Sequence, residues 1–317
     1  PALGYHRWPQ DAPARSEWFL ARLHRNTFSK AIGDKRAVVV ITNYNLTEYL
    51  VEAVRSVLSQ DAACDLIVVD DGSDEQLAGV VLPLLTTEGI RVERVSRLGL
   101  PAARNHGIRL SDAQFIVCLD ADDLLEPNHV SGAVEIAEAT GGDVVAPRFA
   151  CFDGAHHEIA PTHLTLPELL LENTIPVSAL FRRRAWERVG GYDEEMSGMQ
   201  DWAFWISIVV SGGVIAASDA STFRYRVRGG SMYSRTKKPE RFRSLYEIIL
   251  RRHSASFAPY LQTLVLELVQ RLQEANGRWA AQAKLLDRQA AERPLLTYWR
   301  AEGVALAVHG GRARAPS

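Results

Sequence analysis

Apolar residues in the first half of the chain gather into short dense runs, separated by stretches with a different period. AVVVIT (37–42), DLIVVD (65–70), IRVERV (90–95) and QFIVCLD (114–120) are rich in β-branched residues and read as strands buried on both faces. LTEYLVEAVRSVLSQ (46–60) instead sets Leu46, Leu50, Ala53, Val54, Val57 and Leu58 at helical spacing, and 100–110 and 127–140 read as further crossover helices. Strands alternating with helices mark βαβ units and predict a doubly wound, mainly parallel α/β sheet flanked by helices.

Beyond Gly154 the alternation fades into a mixed stretch. A strand is expected near VSALF (177–181), helices near 183–189 and 202–211, and two strands at VIAAS (214–218) and TFRYRV (222–227). From Pro239 to about His309 the pattern reads as three helices, YLQTLVLELVQRLQEA among them. The expected organisation is an N-terminal arm (1–34), an α/β domain (35–235) and a C-terminal helical extension (236–317).

Composition narrows the class of protein. With 317 residues, 47% of them apolar and 23% charged, the chain can bury a full core. A formal charge of -2 gives no global attraction to nucleic acid, so an anionic ligand needs a local site. No apolar run reaches the roughly 18 residues that span a bilayer, and PALGYHRWPQ lacks the order of a signal peptide, which makes a cytoplasmic enzyme the expectation. Pro1 in place of Met suits a trimmed chain or one module of a longer polypeptide. Helix RFRSLYEIILRRH (241–253) is basic on one side and apolar on another, which suits a membrane surface or a partner as well as its own domain. Cys64, Cys118 and Cys151 read as reduced thiols, and His156, His157 and His163 as a solvated loop.

Ligands of open α/β sheets bind beyond the carboxyl ends of the strands, so charged residues there matter most. The second strand ends in Asp70, Asp71, Gly72, Ser73 and the fourth in Asp120, Ala121, Asp122, Asp123. Either cluster alone is ordinary turn chemistry. Two at one edge need a compensating positive group, and a hard divalent cation takes oxygen ligands of this kind. Strand alternation would send Asp120 and Asp122 to one side, past the small Ala121. DDLLE (122–126) also matches the metal motif of isoprenoid synthases, but that motif belongs within a helix, and here it follows a strand and precedes Pro127.

Seven short motifs, TNYN (42–45), SVLSQ (56–60), VVDDGSD (68–74), ARNHGI (103–108), LDADD (119–123), VGGYDEE (189–195) and QDWAFW (200–205), together resemble the inverting glycosyltransferases of family 2, with the GT-A fold. The resemblance runs from about 37 to 235 in order and spacing. It implies a nucleotide-sugar donor, with UDP the first expectation, and Mn²⁺ or Mg²⁺ as cofactor. Thr42, Tyr44 and Asn45 would lie on the donor side, Tyr44 stacking near the base, with Asp71 and Arg104 helping to bind the nucleotide. Asp120 would lie near ribose and metal, and Asp122 would ligate the metal. Asp201 matches the catalytic base, with Gln200 and Trp202 shaping the acceptor side. A glycan, lipid-linked, peptide or small-molecule acceptor stays open.

Three positions depart from the family pattern: Gln200 stands where Glu is usual, Arg97 where Asn is frequent, and Arg228, in YRVRGGSMYS (225–234), where many relatives carry His. Arginine cannot ligate a metal, but its cationic fork can hold a diphosphate. The capping role that Asp favours at helix starts is the plain alternative for Asp201. Two rival functions remain: a sugar-phosphate nucleotidyltransferase, which the glycine-free TNYNLTEY disfavours, and an inactive sugar- or partner-binding module, which the joint presence of Asp122 and Asp201 disfavours.

Overall fold

Strand β1 (Ala37–Asn43) is buried at all seven positions, as its unbroken apolar run requires. It is central because β2 (Asp65–Asp70) and β4 (Phe115–Asp120) pair with it in parallel on either side. Their register decides where the chemistry falls: Asn43 lies opposite Asp70, and Thr42 opposite Asp120. Both acidic strand ends therefore meet at one edge. The computed structural model describes residues 36–154, 157–162, 164–229 and 238–292.

The other strands are β3 (Arg91–Arg94), β5 (Leu124–Leu125), β6 (Val144–Phe152), β7 (Glu158–Ile159), β8 (Leu180–Arg182) and β9 (Ile215–Arg226). Among the described residues the sheet runs β3-β2-β1-β4-β8-β6-β9-β5, with β7 beside β6. Pairings β3-β2-β1-β4 and β6-β9 are parallel, whereas β8 is antiparallel to both its neighbours. Crossover helices α1 (Thr47–Leu58), α2 (Glu75–Thr87), α3 (Leu100–Arg109) and α4 (His129–Thr140) follow β1, β2, β3 and β5.

The second half departs from the sequence expectation in instructive ways. VIAAS and TFRYRV belong to one long β9, and β6, which the apolar pattern did not flag, pairs with it along its length. The register jumps at Pro147/Arg148, where Pro147 faces Ser218 but Arg148 faces Thr222. A bulge suits Pro147, which has no N–H to give a ladder, and that interruption hides β6 from a period-two reading. The strand expected at 177–181 is shorter and later, Leu180–Arg182.

Four helices follow in the first compact unit: α5 (Leu166–Leu171), α6 (Arg183–Val189), α7 (Gln200–Val210) and α8 (Pro239–Arg252), with a single turn α9 (Ser254–Phe257). That unit ends at Pro259 and a second begins at Tyr260. Within the second unit α10 (Leu261–Glu292) leaves Leu261, Val265, Leu268 and Leu272 exposed. The arm at 1–34, His156, His163 and the helical pattern beyond Glu292 lie outside the described residues. No described helix is long and apolar enough to cross a membrane. Helix α8 buries Leu245 and Ile249 and sets Tyr246 against Trp202, while Phe242 stays exposed.

Helix α3 lies hard against the sheet, and one residue permits it. A Cβ at Gly107 would come within 2.4 Å of Val40 Cγ1 and 2.9 Å of Val69 Cγ2, both fully buried side chains. Gly107→Ala is expected to lower the unfolding free energy by about 1–3 kcal/mol, the usual cost of overpacking a core, measured by urea denaturation. A variant as stable as the parent would mean that α3 can ride outward freely.

Candidate active site

The loop after β1 is held by the loop after β2. Asp70 is fully buried and accepts hydrogen bonds from Asn43 Nδ2 at 2.7 Å and Ser73 Oγ at 2.5 Å, while Arg94 Nε stands 3.2 Å away. Ser73 Oγ in turn accepts from the Asn45 N–H, and Asn45 Oδ1 accepts from the Asp74 N–H. Asn45 itself has φ near 53°, a left-handed conformation that Asn tolerates. This mutual bonding fixes Tyr44, which is left exposed.

Asp71 takes a different part from its neighbour. Its carboxylate accepts from the backbone N–H groups of Leu98 and Gly99, at 2.5 and 2.9 Å. It therefore pins the turn that leads into α3 and carries Arg97, whose guanidinium lies 4.7 Å over the Tyr44 ring. Gly72, at φ near 73°, makes room for Arg97 beneath that turn. Arg97 therefore lies directly against the exposed face of Tyr44.

At the end of β4 every carboxylate has a cation or donor beside it. Arg104, on α3 and 1% exposed, gives Nη2 to Asp120 Oδ1 at 2.7 Å, and Thr42 Oγ1 stands 3.4 Å from the same oxygen. Arg104 Nε and Nη1 are buried without hydrogen bonds, although its guanidinium lies 5.5 Å from the centre of the Tyr192 ring. The expectation that Asp120 and Asp122 share a strand face does not describe this geometry. β4 ends at Asp120, Ala121 is fully buried, and a turn carries Asp122 to Arg228 Nε at 2.5 Å.

Asp123, almost wholly buried, accepts from the Arg226 backbone N–H at 2.8 Å. Burial, with the charges of Asp122 and Asp120 adding to it, pushes its carboxyl well above the usual range. Asp122 is raised for the same first cause, offset by Arg228. Beneath them the Arg226 side chain, 3% exposed, gives Nε to the Asp122 carbonyl at 2.7 Å, Nη2 to Glu52 at 2.7 Å and Nη1 to Asp153. Its guanidinium sits between the rings of Tyr49 and Phe152, at 4.8 and 4.5 Å. Arg226 was visible in the YRVR motif, but nothing in a linear sequence joins it to Glu52 and Asp153.

Asp201 stands at the second position of α7, whose N-cap is Met199 with φ near 54°. Asp201 is thus in the first turn and is not the cap. It is half-buried, and Asn173 Nδ2, from a segment the sequence reading passed over, donates to its Oδ2 at 3.2 Å. Burial raises its carboxyl above the usual range, and the Arg104 charge partly offsets this. Gln200 and Trp202 are both buried, so neither presents its side chain to an acceptor directly. Trp202 Nε1 donates to the Leu169 carbonyl at 2.6 Å and its ring packs against Tyr246 of α8, which makes it an anchor of the wall around Asp201.

Asn105 joins the two halves of the site. Its Nδ2 donates to the Tyr192 carbonyl and to Glu194, and its Oδ1 accepts from Trp186 Nε1 and the Tyr192 N–H. One amide thereby binds ARNHGI to VGGYDEE, which precedes α7.

The model of the family described as glycosyl transferase family 2 matches residues 38–199, just over half of the chain. The chain belongs to that family. Its glycosyltransferase relatives include the succinoglycan biosynthesis protein ExoO of Rhizobium meliloti (strain 1021), 26% identical over 212 residues that cover 61% of each chain. ExoU of the same organism is 32% identical over 119 residues, 37% of this chain and 34% of that one. The chain thus spans between about a third and three fifths of these relatives. A crystal structure of S. aureus TarS 1-349 in complex with UDP-GlcNAc superposes with a TM-score of 0.57 at 20% identity, covering 68% of this chain and 65% of that one. The shared arrangement is the GT-A glycosyltransferase fold, a curled mixed sheet with flanking helices.

The donor set suits a hard divalent cation that brings ligands of its own. Among the described residues no group of three or more His, Cys, Asp or Glu is disposed to hold a metal ion. Asp120 and Asp122 are the available oxygen donors, and Mg²⁺ commonly takes one or two carboxylates plus substrate phosphates.

The raised carboxyl of Asp201 has a consequence for stability. An acid that holds its proton more tightly when folded destabilises the fold as pH rises from its ordinary value of 3.8 through the native one. Asp201→Asn removes that term. Thermal melts over a pH series should show wild type and variant converging below the lower limit, with the variant gaining as pH rises and keeping its gain at neutrality. A variant less stable at neutral pH would contradict this.

Proposed function

We propose that this glycosyltransferase moves a sugar from a nucleoside-diphosphate donor to an acceptor hydroxyl in a single inverting displacement, with Asp201 as general base. The observation that carries the reading is a half-buried carboxylate with a raised proton affinity within electrostatic reach of Arg104 and Asp120, next to the cation-paired Asp122. The matched family segment ends at Met199, so Asp201 stands on this geometry and on the QDWAFW motif.

The base of the nucleotide stacks on the exposed ring of Tyr44 where Arg97 now rests, beside Thr42, Asn45 and the turn that Asp71 pins. Asp71 acts there through the turn. UDP is the first expectation for the nucleotide, and a similar fold is found in TarS with UDP-GlcNAc. Asp120, held by Arg104, lies where the ribose and diphosphate follow. A divalent cation, Mn²⁺ or Mg²⁺, bound through Asp122 and Asp120 would supply charge neutralisation at the leaving diphosphate. Arg228 adds a second positive group at the same place, and Asn173 orients the Asp201 carboxylate toward the acceptor proton. With Asp201 taking that proton as the acceptor oxygen attacks from the opposite face, configuration at the anomeric carbon inverts.

An acceptor of glycan type agrees with relatives named for succinoglycan biosynthesis. Donor binding and hydrolysis across UDP-, GDP- and dTDP-sugars, with and without Mn²⁺, tests the whole reading. Asp201→Asn should lower kcat by about 10²–10⁴-fold with donor affinity unchanged, since it removes a proton acceptor alone. Asp122→Ala should remove the metal dependence of donor binding. If no nucleotide sugar binds under any condition, the chain is a binding module that has kept the fold.

A further inference from the structure

Two arginines, two residues apart at the end of β9, are held very differently. Arg226 is locked: it is buried, bonded through Nε, Nη1 and Nη2, and wedged between two rings. Arg228 keeps more than a quarter of its side-chain surface open and has, among the described residues, one side-chain bond, from Nε to Asp122 Oδ2. Its terminal nitrogens have no hydrogen-bond partner among the described residues, and its one ring contact, to Tyr49, is a distant 6.0 Å. A guanidinium carries five N–H donors in a planar fork, and here a single Nε–H holds the pair together. Such a residue can leave without dismantling its surroundings.

It sits, moreover, on the carboxylate that the transferase reading assigns to the metal. An arginine cannot join a coordination shell, so Asp122 Oδ2 serves either Arg228 or a cation. We propose that Arg228 is the resident counter-cation of Asp122, that it surrenders the carboxylate when a diphosphate and a divalent cation arrive together, and that its guanidinium then turns onto the diphosphate.

The exchange rests on the donor reading above, and the surrounding charges favour it. Asp120, Asp122 and Asp123 lie in a poorly hydrated turn, and Asp120 already has Arg104. Without a donor, Arg228 offsets Asp122, and a bare cation must displace it for a site with few protein ligands. A diphosphate supplies both the missing oxygens for the cation and a new anionic partner for the freed guanidinium. Metal and nucleotide should therefore bind with strong mutual synergy, and Arg228 is the residue that creates it.

The test is a titration of the full chain with Mn²⁺ alone, read as loss of the free-ion electron paramagnetic resonance signal, then repeated with saturating UDP. In wild type, Mn²⁺ alone should bind weakly and UDP should tighten it strongly. Arg228→Gln should tighten Mn²⁺ alone by on the order of ten-fold, because an uncompensated carboxylate is left behind, and should shrink the UDP synergy. Arg228→Lys, which keeps the charge, should stay near wild type. Arg224→Gln, a charge removed from an exposed pair with Glu126 on the same strand, should also leave Mn²⁺ affinity unchanged.

Unchanged or weaker Mn²⁺ binding in Arg228→Gln overturns the exchange, and so does equal tightening in Arg224→Gln. Tightening that persists in the Arg228→Gln, Asp122→Asn double variant overturns it as well, because the ion would then sit elsewhere. If the glutamine variant does not fold, the lysine variant and the wild-type synergy decide: lost synergy in wild type overturns the proposal. Failure of wild type to bind any nucleoside diphosphate is a separate result that strikes the donor reading, since the Mn²⁺-alone titration needs no nucleotide.

Discussion

Negative charge concentrated where water is scarce is the constraint around which this molecule is organised. The parallel register of β1 with β2 and β4 delivers Asp70 and Asp120 to one edge of a buried sheet, and the turn after β4 adds Asp122 and Asp123. Leaving such carboxylates ionised without partners would cost several kcal/mol each. Each is met instead by a specific donor: Asp70 by Asn43, Ser73 and Arg94, Asp120 by Arg104, Asp122 by Arg228, and Asp123 by the backbone of Arg226. These partners come from five different segments, so satisfying the charges also draws the segments together. Holding the site and holding the fold are here largely the same task.

Arg104 shows how far this coupling reaches. It is anchored on a helix that can approach the sheet only because Gly107 lacks a side chain. Its charge supports Asp120 and at the same time moderates the proton affinity of Asp201. Two of its nitrogens remain without hydrogen bonds in a fully buried place, an arrangement stable folding alone does not favour. On the proposed reading, a group left short of partners between Asp120 and Asp201 is what a site poised to receive charge would contain.

Much of the first half could be read from the sequence because its signals are local. Unbroken β-branched runs, helical spacing and acidic strand ends each occupy fewer than about twenty residues, and the motifs singled out Thr42 and Asp120, which the β1–β4 register sets side by side. The second half was less legible because its order depends on contacts between distant segments. Strand β6 is disguised by a bulge at Pro147, and Asn173 meets Asp201 across 28 residues of chain. Glu52 meets Arg226 across 174. Trp202 misled in another way: a large aromatic beside a base suggests ligand contact, but this indole has a buried carbonyl to satisfy and faces inward.

The same logic applies to α8, which in sequence looks like the start of an appended helical extension. Its first turn gives Arg241 Nη2 to the Ser197 carbonyl at 2.8 Å, immediately before α7, and Tyr246 donates to the carbonyl of Leu170. Near its end Arg252 pairs with Asp193 and Glu195 in the segment that Asn105 grips from the other side. The turn carrying Asp201 is therefore held from α3 on one side and from α8 on the other, and Trp202 is packed between α5 and α8. The proposed role of Asp201 as base gains from this rigidity, because a carboxylate displaced by even an ångström loses the hydrogen-bond reach that proton transfer needs. On that reading residues 239–252 serve the site by holding the turn of Asp201 in place, although none of them need touch a substrate.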